Sequence, residues 1–296
     1  MAQPSINPND FPPDMDQRFS ADLDDRVVLL PLPEACDPTE LPEDRVEGMI
    51  AGPSLRARTH ALRQVVVLDF AGPLHGAIQD LDLSIQHALA DGPRGVVCDM
   101  SAVYEGAEPA AVELLATAGR HVRDWPGIPV VLAGPKRRVR EALRVHPLGR
   151  HMIVTPSAVE AVSAVLATPV PLVEWQRLAP HPTAPRASRN FVSRTLLNWG
   201  LGKLIPSASL VVSELVTNST IHAGTDIELS VAWDQGALRL TVRDGSPELP
   251  RQRFSRFDQH GRGISVVAGV SRAFGVLPTR DHGKVVWAVL NAARPA

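Results

Sequence analysis

Short β-branched segments alternate with segments of helical periodicity between residues 64 and 166, and this alternation constrains the fold more than any other feature. Strands are predicted at Val65 to Phe70, Gly95 to Asp99, Val130 to Ala133 and Met152 to Val154, and helices at Ile78 to Leu89, Pro109 to Trp125, Val139 to Arg144 and Ala158 to Leu166. Strands that alternate with helices build a mixed or parallel sheet with helices packed on it. The sequence therefore predicts an α/β domain over residues 60–168.

The first 58 residues differ from the rest in charge and proline content. Residues 1–50 contain twelve Asp or Glu against three Arg, a formal charge of −9, whereas the 296-residue chain as a whole carries −2. Acidic, proline-rich sequence opposes regular packing, so we expect residues 1–58 to form a mobile segment. Its one apolar island, Val27 to Leu32, fits an edge strand, a segment docked in a groove and an incidental patch in a tail equally well.

Several classes of protein are disfavoured by the composition. No apolar run approaches the roughly 18 residues of a membrane span, and the first residues do not resemble a secretion signal, so we expect a cytoplasmic protein. Cys36 and Cys98 lie far apart, with no Cys or His at ligand spacing, which argues against a disulfide framework and a zinc site. Basic residues are dispersed except for the run Lys136 to Arg140, which we interpret as the solvated start of a helix rather than a nucleic-acid surface.

A second domain is predicted over residues 172–293, with the proline-rich residues 169–188 as the linker. Strands are predicted at Leu172 to Leu178, Ile227 to Trp233, Leu238 to Arg243 and Val285 to Leu290, and helices at Arg189 to Trp199 and from Pro206 to Ala223. The second and third of these strands alternate with period two across a short turn, which predicts an antiparallel hairpin.

Three polar elements follow in a fixed order within this domain. Glu214 and Asn218 lie four residues apart on the predicted helix and therefore share a face. Asp244-Gly245 ends a hairpin strand, and Gly261-Arg262-Gly263 opens an apolar helix. Each element alone has an ordinary explanation, a solvated face or a turn, but their combination predicts a ligand site.

This combination resembles the N, G1 and G2 boxes of the GHKL ATPases, and most closely the actinobacterial-type anti-sigma-factor serine kinases. The resemblance covers about residues 172–292 and includes Gly283-Lys284-Val285-Val286-Trp287. It implies a Bergerat-type α/β sandwich with an antiparallel sheet, and it implies ATP and Mg²⁺ as cofactors. The helix from Pro206 would then carry the catalytic and metal-binding side chains.

The resemblance implies a role for each polar element. Asn218 would bind Mg²⁺ through its carboxamide oxygen, and Glu214 would accept a proton from an attacking serine hydroxyl or water. Asp244 would accept a hydrogen bond from the adenine amino group, with Gly245 allowing close approach. The loop Gly261-Arg262-Gly263 would receive the phosphates on its backbone N–H groups, with the Arg262 side chain either adding charge or facing solvent.

Two further expectations concern residues around these elements. Val285 stands where relatives have a threonine whose hydroxyl joins the water network beneath the adenine, which implies weaker nucleotide binding. Tyr104, Trp233 and Trp287 are interpreted as packing residues.

The first domain resembles the STAS domain of anti-sigma-factor antagonists, through Ala71-Gly72-Pro73-Leu74 after its first strand and Asp99-Met100-Ser101 before its long helix. In that family a serine at the start of the helix is phosphorylated by a partner kinase, whereas the matching residues here are Ala107-Glu108-Pro109-Ala110. Glu108 and Pro109 thus form a degenerate phosphosite. Glu108 either stabilises the helix start, as acidic residues commonly do, or imitates phosphoserine and holds one signalling state.

The two resemblances together imply a cytoplasmic regulator of the partner-switching type. It would phosphorylate a serine of a separate STAS antagonist protein, sequester a sigma factor, or do both, and it would act without nucleic acid or membrane. A non-catalytic nucleotide-binding regulator that acts by sequestration is the alternative. A third interpretation is an intramolecular switch, in which residues 60–168 dock on the second domain and hold it closed. Because relatives of the kinase half often act as dimers, a homodimer is also expected.

Overall fold

A computed structural model of the chain describes residues 55–62, 64–74, 77–105, 109–124, 128–234, 236–248 and 263–291. Within these ranges the chain forms two units, each built around a five-stranded sheet. We call residues 55–167 the N-terminal unit and residues 172–291 the C-terminal unit. The predicted fold class, a mixed sheet with helices followed by an antiparallel sheet with helices, is confirmed. The apolar island at residues 27–32 lies outside the described residues.

The N-terminal unit has a sheet whose spatial order follows the chain. Its strands are β1 (Arg56–Leu62), β2 (Val65–Pro73), β3 (Gly95–Glu105), β4 (Val130–Ala133) and β5 (Ile153–Thr155). Its helices are α1 (Ile78–Ala90), α2 (Pro109–Asp124), α3 (Arg137–Val145) and α4 (Ala158–Ala167). The first strand pairs antiparallel with β2, and the remaining neighbours are parallel. The alternation predicted from the sequence is confirmed for β2 to β5 and for all four helices.

Side chains alternate between the two faces of this sheet along each strand. Apolar side chains lie on both faces, and helices cover both of them. Leu68 and Phe70 of β2 share a hydrophobic cluster with Leu81 of α1. Val67, the residue before Leu68, packs on the other face with Val165 of α4. Burial on both faces explains why the central strands read as continuous apolar runs rather than as alternating ones.

The C-terminal unit has an entirely antiparallel sheet in the order β6-β7-β8-β10-β9. Its strands are β6 (Leu172–Leu178), β7 (Ile227–Asp234), β8 (Ala237–Asp244), β9 (Ala273–Pro278) and β10 (Lys284–Asn291). Its helices are α5 (Ala184–Asn198), α6 (Ile205–Asn218) and α7 (Gly263–Val270). The predicted hairpin of β7 and β8 is confirmed. The predicted linker, residues 169–188, includes β6 and the first turn of α5.

The two faces of the C-terminal sheet have different partners. Val212 of α6 and Val286 of β10 belong to the cluster formed with the helices of the same unit. Trp287, the next residue on β10, belongs instead to the cluster that contains Leu81 and Ile85 of α1. The N-terminal unit therefore packs, through α1, on the sheet face opposite α6.

Two strands were not predicted from the sequence. Strand β1 is exposed from Arg56 to Ala61 and mostly polar there, so it lacks the apolar alternation of a half-buried strand. Strand β9 contains Gly275 in its interior, which lowers strand propensity. The Trp287 indole explains this glycine, because a Cβ on Gly275 would lie 2.7 Å from Cζ2 of Trp287.

Tyr104 corrects another sequence-based interpretation. Trp287 is 1% exposed and Trp233 packs against the helical core, in agreement with their predicted packing role. Tyr104, in contrast, is 58% exposed near the end of β3. It is therefore a surface residue, and its interpretation as a packing residue is wrong.

The helical stretch Gly202–Ala223 is long and apolar enough, by length and composition alone, to cross a membrane. No long uninterrupted apolar run in the sequence marks this helix. In the structure several of its apolar side chains, including Val211 and Leu215, are buried in the core of the C-terminal unit, whereas Leu210 and Ile221 are exposed. Packing in a protein core therefore accounts for the composition of this helix.

Candidate functional site

Helix α6 carries the two polar residues on which the predicted site depends. Pro206 lies in its first turn, where a missing N–H leaves no broken hydrogen bond. Val212 and Leu215 are buried against the sheet, whereas Glu214 and Asn218 are half-buried. In the part of the chain that the structure describes, no side-chain hydrogen bond or ion pair involves Glu214 or Asn218. Both side chains are thus available to a ligand.

The helix changes geometry directly after Asn218. Residues Ser219–Ala223 form a π-helical turn, in which the Gly224 N–H donates to the Ser219 carbonyl at 3.2 Å. Gly224 ends the turn in the left-handed region, with φ of 62°. The sequence pattern predicted one uninterrupted helix here, since i to i+5 bonding leaves no sequence signature. Wide turns of this kind frequently occur at functional sites.

This turn connects α6 to Asp244 at the end of β8. The Ser219 hydroxyl is buried and donates to Asp244 Oδ2 at 2.6 Å. Asp244 is 3% exposed, and its Oδ1 accepts hydrogen bonds from the Ser246 N–H at 3.1 Å and from Lys284 Nζ at 2.7 Å. The structure therefore joins Asp244 to Ser219, the residue that follows Asn218, while the roles predicted for Asn218 and Asp244 stay predictions. The serine itself was not predicted.

Lys284 is the second residue whose contact with Asp244 was not predicted from the sequence. It lies directly opposite Asp244 in the pairing of β10 with β8, and residues opposite each other share a face of the sheet. Besides Asp244, its ammonium group donates to the Ser246 carbonyl at 3.0 Å. Residue type alone could not indicate this role, because only the strand register brings Lys284 and Asp244 together.

The same register corrects the interpretation of Val285. Val285 pairs with Arg243, one residue before Asp244, and its side chain lies in the cluster shared with the N-terminal unit. It therefore points away from the face that carries Asp244, so its missing hydroxyl does not affect a ligand there. The expectation of weaker nucleotide binding through Val285 is wrong, since Lys284 is the β10 residue beside Asp244.

Two positions next to Asp244, Gly245 and Gly283, have little room for a side chain, for different steric reasons. The Gly245 N–H donates to Thr225 Oγ1 at 2.8 Å, and a Cβ on Gly245 would lie 3.2 Å from Thr225 Cγ2. Gly245 is therefore tightly packed against a protein side chain. A Cβ on Gly283 would lie 2.3 Å from the Asp244 carbonyl oxygen, a distance that requires the backbone to move. Gly283 consequently lets β10 pass close to the end of β8.

Several predicted site residues lie at or beyond the edge of the described ranges. Gly263 is the first residue of α7, while Gly261 and Arg262 lie outside the described residues. At the degenerate phosphosite, Pro109 is the exposed first residue of α2, and Glu108 lies outside the described residues. The predicted phosphate loop and the two interpretations of Glu108 therefore stay predictions.

Comparison with known families identifies the C-terminal part of the chain. Residues 205–294 match the family model HATPase_c, described as histidine kinase-, DNA gyrase B-, and HSP90-like ATPase. Residues 205–294 are therefore similar to the GHKL ATPases, a family whose domain implies ATP binding. No curated protein matches the chain significantly.

Solved structures are similar to the chain over its N-terminal part. An anti-sigma factor antagonist from Mycobacterium paratuberculosis is 24% identical and has a TM-score of 0.33, with 38% of this chain and 95% of that chain covered. The Bacillus cell fate determinant SpoIIAA in its phosphorylated form is 20% identical, with a TM-score of 0.31 and coverage of 38% and 99%. The same protein in its unphosphorylated form is 19% identical, with a TM-score of 0.31 and coverage of 39% and 99%.

The described residues fit an adenine nucleotide with a metal ion. An ionised carboxylate oxygen has two lone pairs, and Asp244 Oδ2 uses only one of them, on Ser219. It can therefore still accept a hydrogen bond from an exocyclic amino group. The structure contains no group of three or more His, Cys, Asp or Glu arranged as a metal site within its described ranges. A Mg²⁺ ion would depend on Asn218 Oδ1 and on the phosphate oxygens of the nucleotide itself.

Proposed function

We propose that the protein is a cytoplasmic regulator of the partner-switching type that uses ATP to phosphorylate a serine of a separate STAS antagonist protein, and that it can also sequester a sigma factor. The observation that carries this proposal is the geometry of α6 and β8. Glu214 and Asn218 share one helix face without partners in the described chain, next to a buried Asp244 tied to the same helix by Ser219. The ATPase module over residues 205–294 supports the nucleotide.

The proposed reaction assigns one task to each residue. Asp244 binds the base of the nucleotide, and Asn218 holds Mg²⁺, which supplies charge neutralisation at the phosphates. Glu214, one turn before Asn218, accepts the proton of the serine hydroxyl as its oxygen attacks the γ-phosphorus. The bond between that phosphorus and the bridging oxygen of ADP breaks. The products are phosphoserine and ADP, and Glu214 then releases its proton to solvent.

The acceptor is proposed to belong to another protein. The residues of this chain that match the STAS phosphosite are Ala107-Glu108-Pro109-Ala110, which contain no hydroxyl. The N-terminal unit also packs on the sheet face opposite α6, and not on the face that carries Glu214. Both observations favour a substrate in trans. The second one disfavours a switch in which the N-terminal unit holds the site closed by direct cover.

One observation favours the alternative, a regulator that binds nucleotide without transferring phosphate. The Lys284 ammonium group occupies Asp244 Oδ1 at 2.7 Å, inside the pocket assigned to the base. A fixed buried cation competes with an incoming amino group for the same carboxylate. Such a protein would act through sequestration of a sigma factor or of an antagonist.

Phosphotransfer from radiolabelled ATP separates the two candidates. The full chain is incubated with Mg²⁺, labelled ATP and STAS proteins that retain the phosphoacceptor serine. We expect Glu214→Gln to lower the transfer rate by about 10²–10⁴-fold, the range typical of a lost general base, while nucleotide binding is unchanged. The matched control is Glu174→Gln on the exposed face of β6, which should not alter the rate. Nucleotide binding without transfer to any partner supports the alternative, and transfer that survives Glu214→Gln overturns the role of Glu214.

A further inference from the structure

The acidic N-terminal segment enters the fold at a particular edge of the first sheet. Strand β1 begins at Arg56, which lies opposite Ala71, near the carboxyl end of β2. Strands β3 and β4 run parallel to β2, so their carboxyl ends lie at the same edge. Neighbouring strands are about 4.8 Å apart, which puts the end of β4 roughly 15 Å from Arg56.

A group of exposed basic residues of the N-terminal unit lies at this edge. Lys136 and the α3 residues Arg137, Arg138 and Arg140 follow directly after β4, and all four are exposed. Arg137 bonds to Glu141 at 2.7 Å on the same helix, in an exposed pair of low stability. We call these four residues the basic cluster. The four positive charges of the basic cluster exceed the single negative charge of Glu141.

An apolar floor lies beside the basic cluster. Met100, Val103 and Tyr104 of β3, together with Val139 of α3, line a cavity of about 270 Å³ that Lys136, Arg137 and Arg138 border. Tyr104, the one tyrosine of the chain, is 58% exposed. Tyrosine side chains are commonly buried to a larger extent, and packing within the fold does not explain this exposure. A surface with cationic walls and an aromatic floor fits a peptide that combines carboxylates with apolar side chains.

We propose that residues 40–47 of this chain bind to the basic cluster and its apolar floor. Their sequence, ELPEDRVE, contains four acidic residues with Leu41 and Val46 among them. Glu47 lies nine residues before Arg56, and an unstructured linker of nine residues has a root-mean-square span of roughly 15–18 Å, which matches the distance to β4. The carboxylates pair with the basic cluster, and the apolar side chains cover Tyr104.

Two considerations favour this occupant over a separate molecule. Residues 1–50 carry a formal charge of −9, so the remaining 246 residues carry +7, and the two parts of the chain attract each other. The short tether also holds residues 40–47 at an effective concentration on the order of millimolar, so a weak contact is occupied without a partner. Nucleic acid would have to displace an acidic segment already present at that concentration.

Zero-length carbodiimide cross-linking tests the proposal in the full-length protein. The chain contains three lysines, Lys136, Lys203 and Lys284, and Lys284 is buried on Asp244. Lys203 is exposed in the C-terminal unit and serves as an internal control. We expect peptide mass spectrometry to find Lys136 joined to Glu40, Glu43, Asp44 or Glu47, with several-fold less product at Lys203. A mixture of ¹⁵N-labelled and unlabelled protein should show that each cross-link lies within one chain.

Charge-removal variants and changes in salt concentration provide a second test of the proposal. The triple variant Arg137→Ser/Arg138→Ser/Arg140→Ser should lower the Lys136 product several-fold, whereas the matched variant Arg177→Ser/Arg194→Ser, which alters exposed arginines of the C-terminal unit, should not. Raising the salt concentration from about 10 mM to about 1 M shortens the screening length from about 30 Å to 3 Å and should also lower it. No Lys136 product, equal products at Lys136 and Lys203, or products only between differently labelled chains would overturn the proposal. The last outcome would indicate a second copy as the occupant.

Discussion

Lys284 Nζ lies 2.7 Å from Asp244 Oδ1, and the two side chains are 8% and 0% exposed. The pair joins the end of β8 to the start of β10, directly opposite each other in the sheet. Asp244 thereby gains a cation in addition to the Ser219 and Ser246 donors. The proposed nucleotide site is therefore built around a hydrogen-bonded ion pair rather than around a lone carboxylate.

Removal of the cation from this pair is expected to destabilise the fold strongly. Lys284→Met keeps most of the side-chain volume but leaves Asp244 buried without its counter-charge. Loss of one partner of a buried ion pair typically costs about 3–5 kcal/mol, and we expect a decrease in the free energy of unfolding of that size. Urea denaturation followed by circular dichroism measures it.

A double variant shows whether the cost arises from the uncompensated charge. In Lys284→Met/Asp244→Asn neither charge is present, so the double variant should be less destabilised than the sum of the two single variants. Additive costs would contradict a direct interaction. A cost below about 1 kcal/mol for Lys284→Met would show that the pair behaves as an exposed one.

Gly283 is expected to tolerate no side chain. A Cβ at this position would lie 2.3 Å from the Asp244 carbonyl oxygen and 3.0 Å from Thr279 Oγ1. Gly283→Ala must therefore displace the backbone, and overpacking of this kind costs about 1–3 kcal/mol. The matched control is Gly269→Ala in α7, where a Cβ would meet nothing within 4 Å. Thermal unfolding should show a lower midpoint for Gly283→Ala only, and equal midpoints for the two variants would refute the steric argument.

The features found from the sequence and those missed differ in their physical origin. The predicted elements were those with local periodicity, such as α1, predicted at Ile78 to Leu89 and found at Ile78–Ala90. Strand β1 was missed because its pairing with β2, and not its composition, makes it a strand. Lys284, Ser219 and the direction of Val285 depend on strand register and on a π-helical turn, which no local pattern encodes. Glu214, Asn218 and Asp244 could be predicted as site residues because their spacing and order are local features of the sequence, and their roles stay predictions.

Cys98 is expected to be unreactive in the folded protein. Burial raises the pKa of its thiol to about 12 from an ordinary value near 9.0. Because the thiolate is the nucleophile, this shift lowers the reactive fraction at neutral pH by about 10³-fold, apart from steric protection. The chain has two cysteines, so Cys36→Ser leaves Cys98 as the sole thiol. Ellman's reagent should react with this variant in urea and not in buffer, and equal rates would contradict the burial of Cys98.

The contact between the two units is expected to weaken in mild acid through His87. Burial at the end of α1 lowers the pKa of His87, and the positive charge of Arg280 lowers it further. Asp91 opposes this shift and His282 adds to it. A histidine whose pKa is lower in the folded state stabilises that state above its unfolded pKa, near 6.5, and loses this contribution as the pH falls below that value.

Urea titrations between pH 5 and pH 7.5 measure this contribution. The wild-type protein should lose more stability over this range than His87→Gln, whose side chain cannot take up a proton. Arg280→Gln should reduce the difference between the wild type and His87→Gln, because it removes the second cause of the shift and a hydrogen bond of 3.0 Å to Thr59 across the contact. Parallel curves for the wild type and His87→Gln would show that His87 titrates alike in the folded and unfolded states.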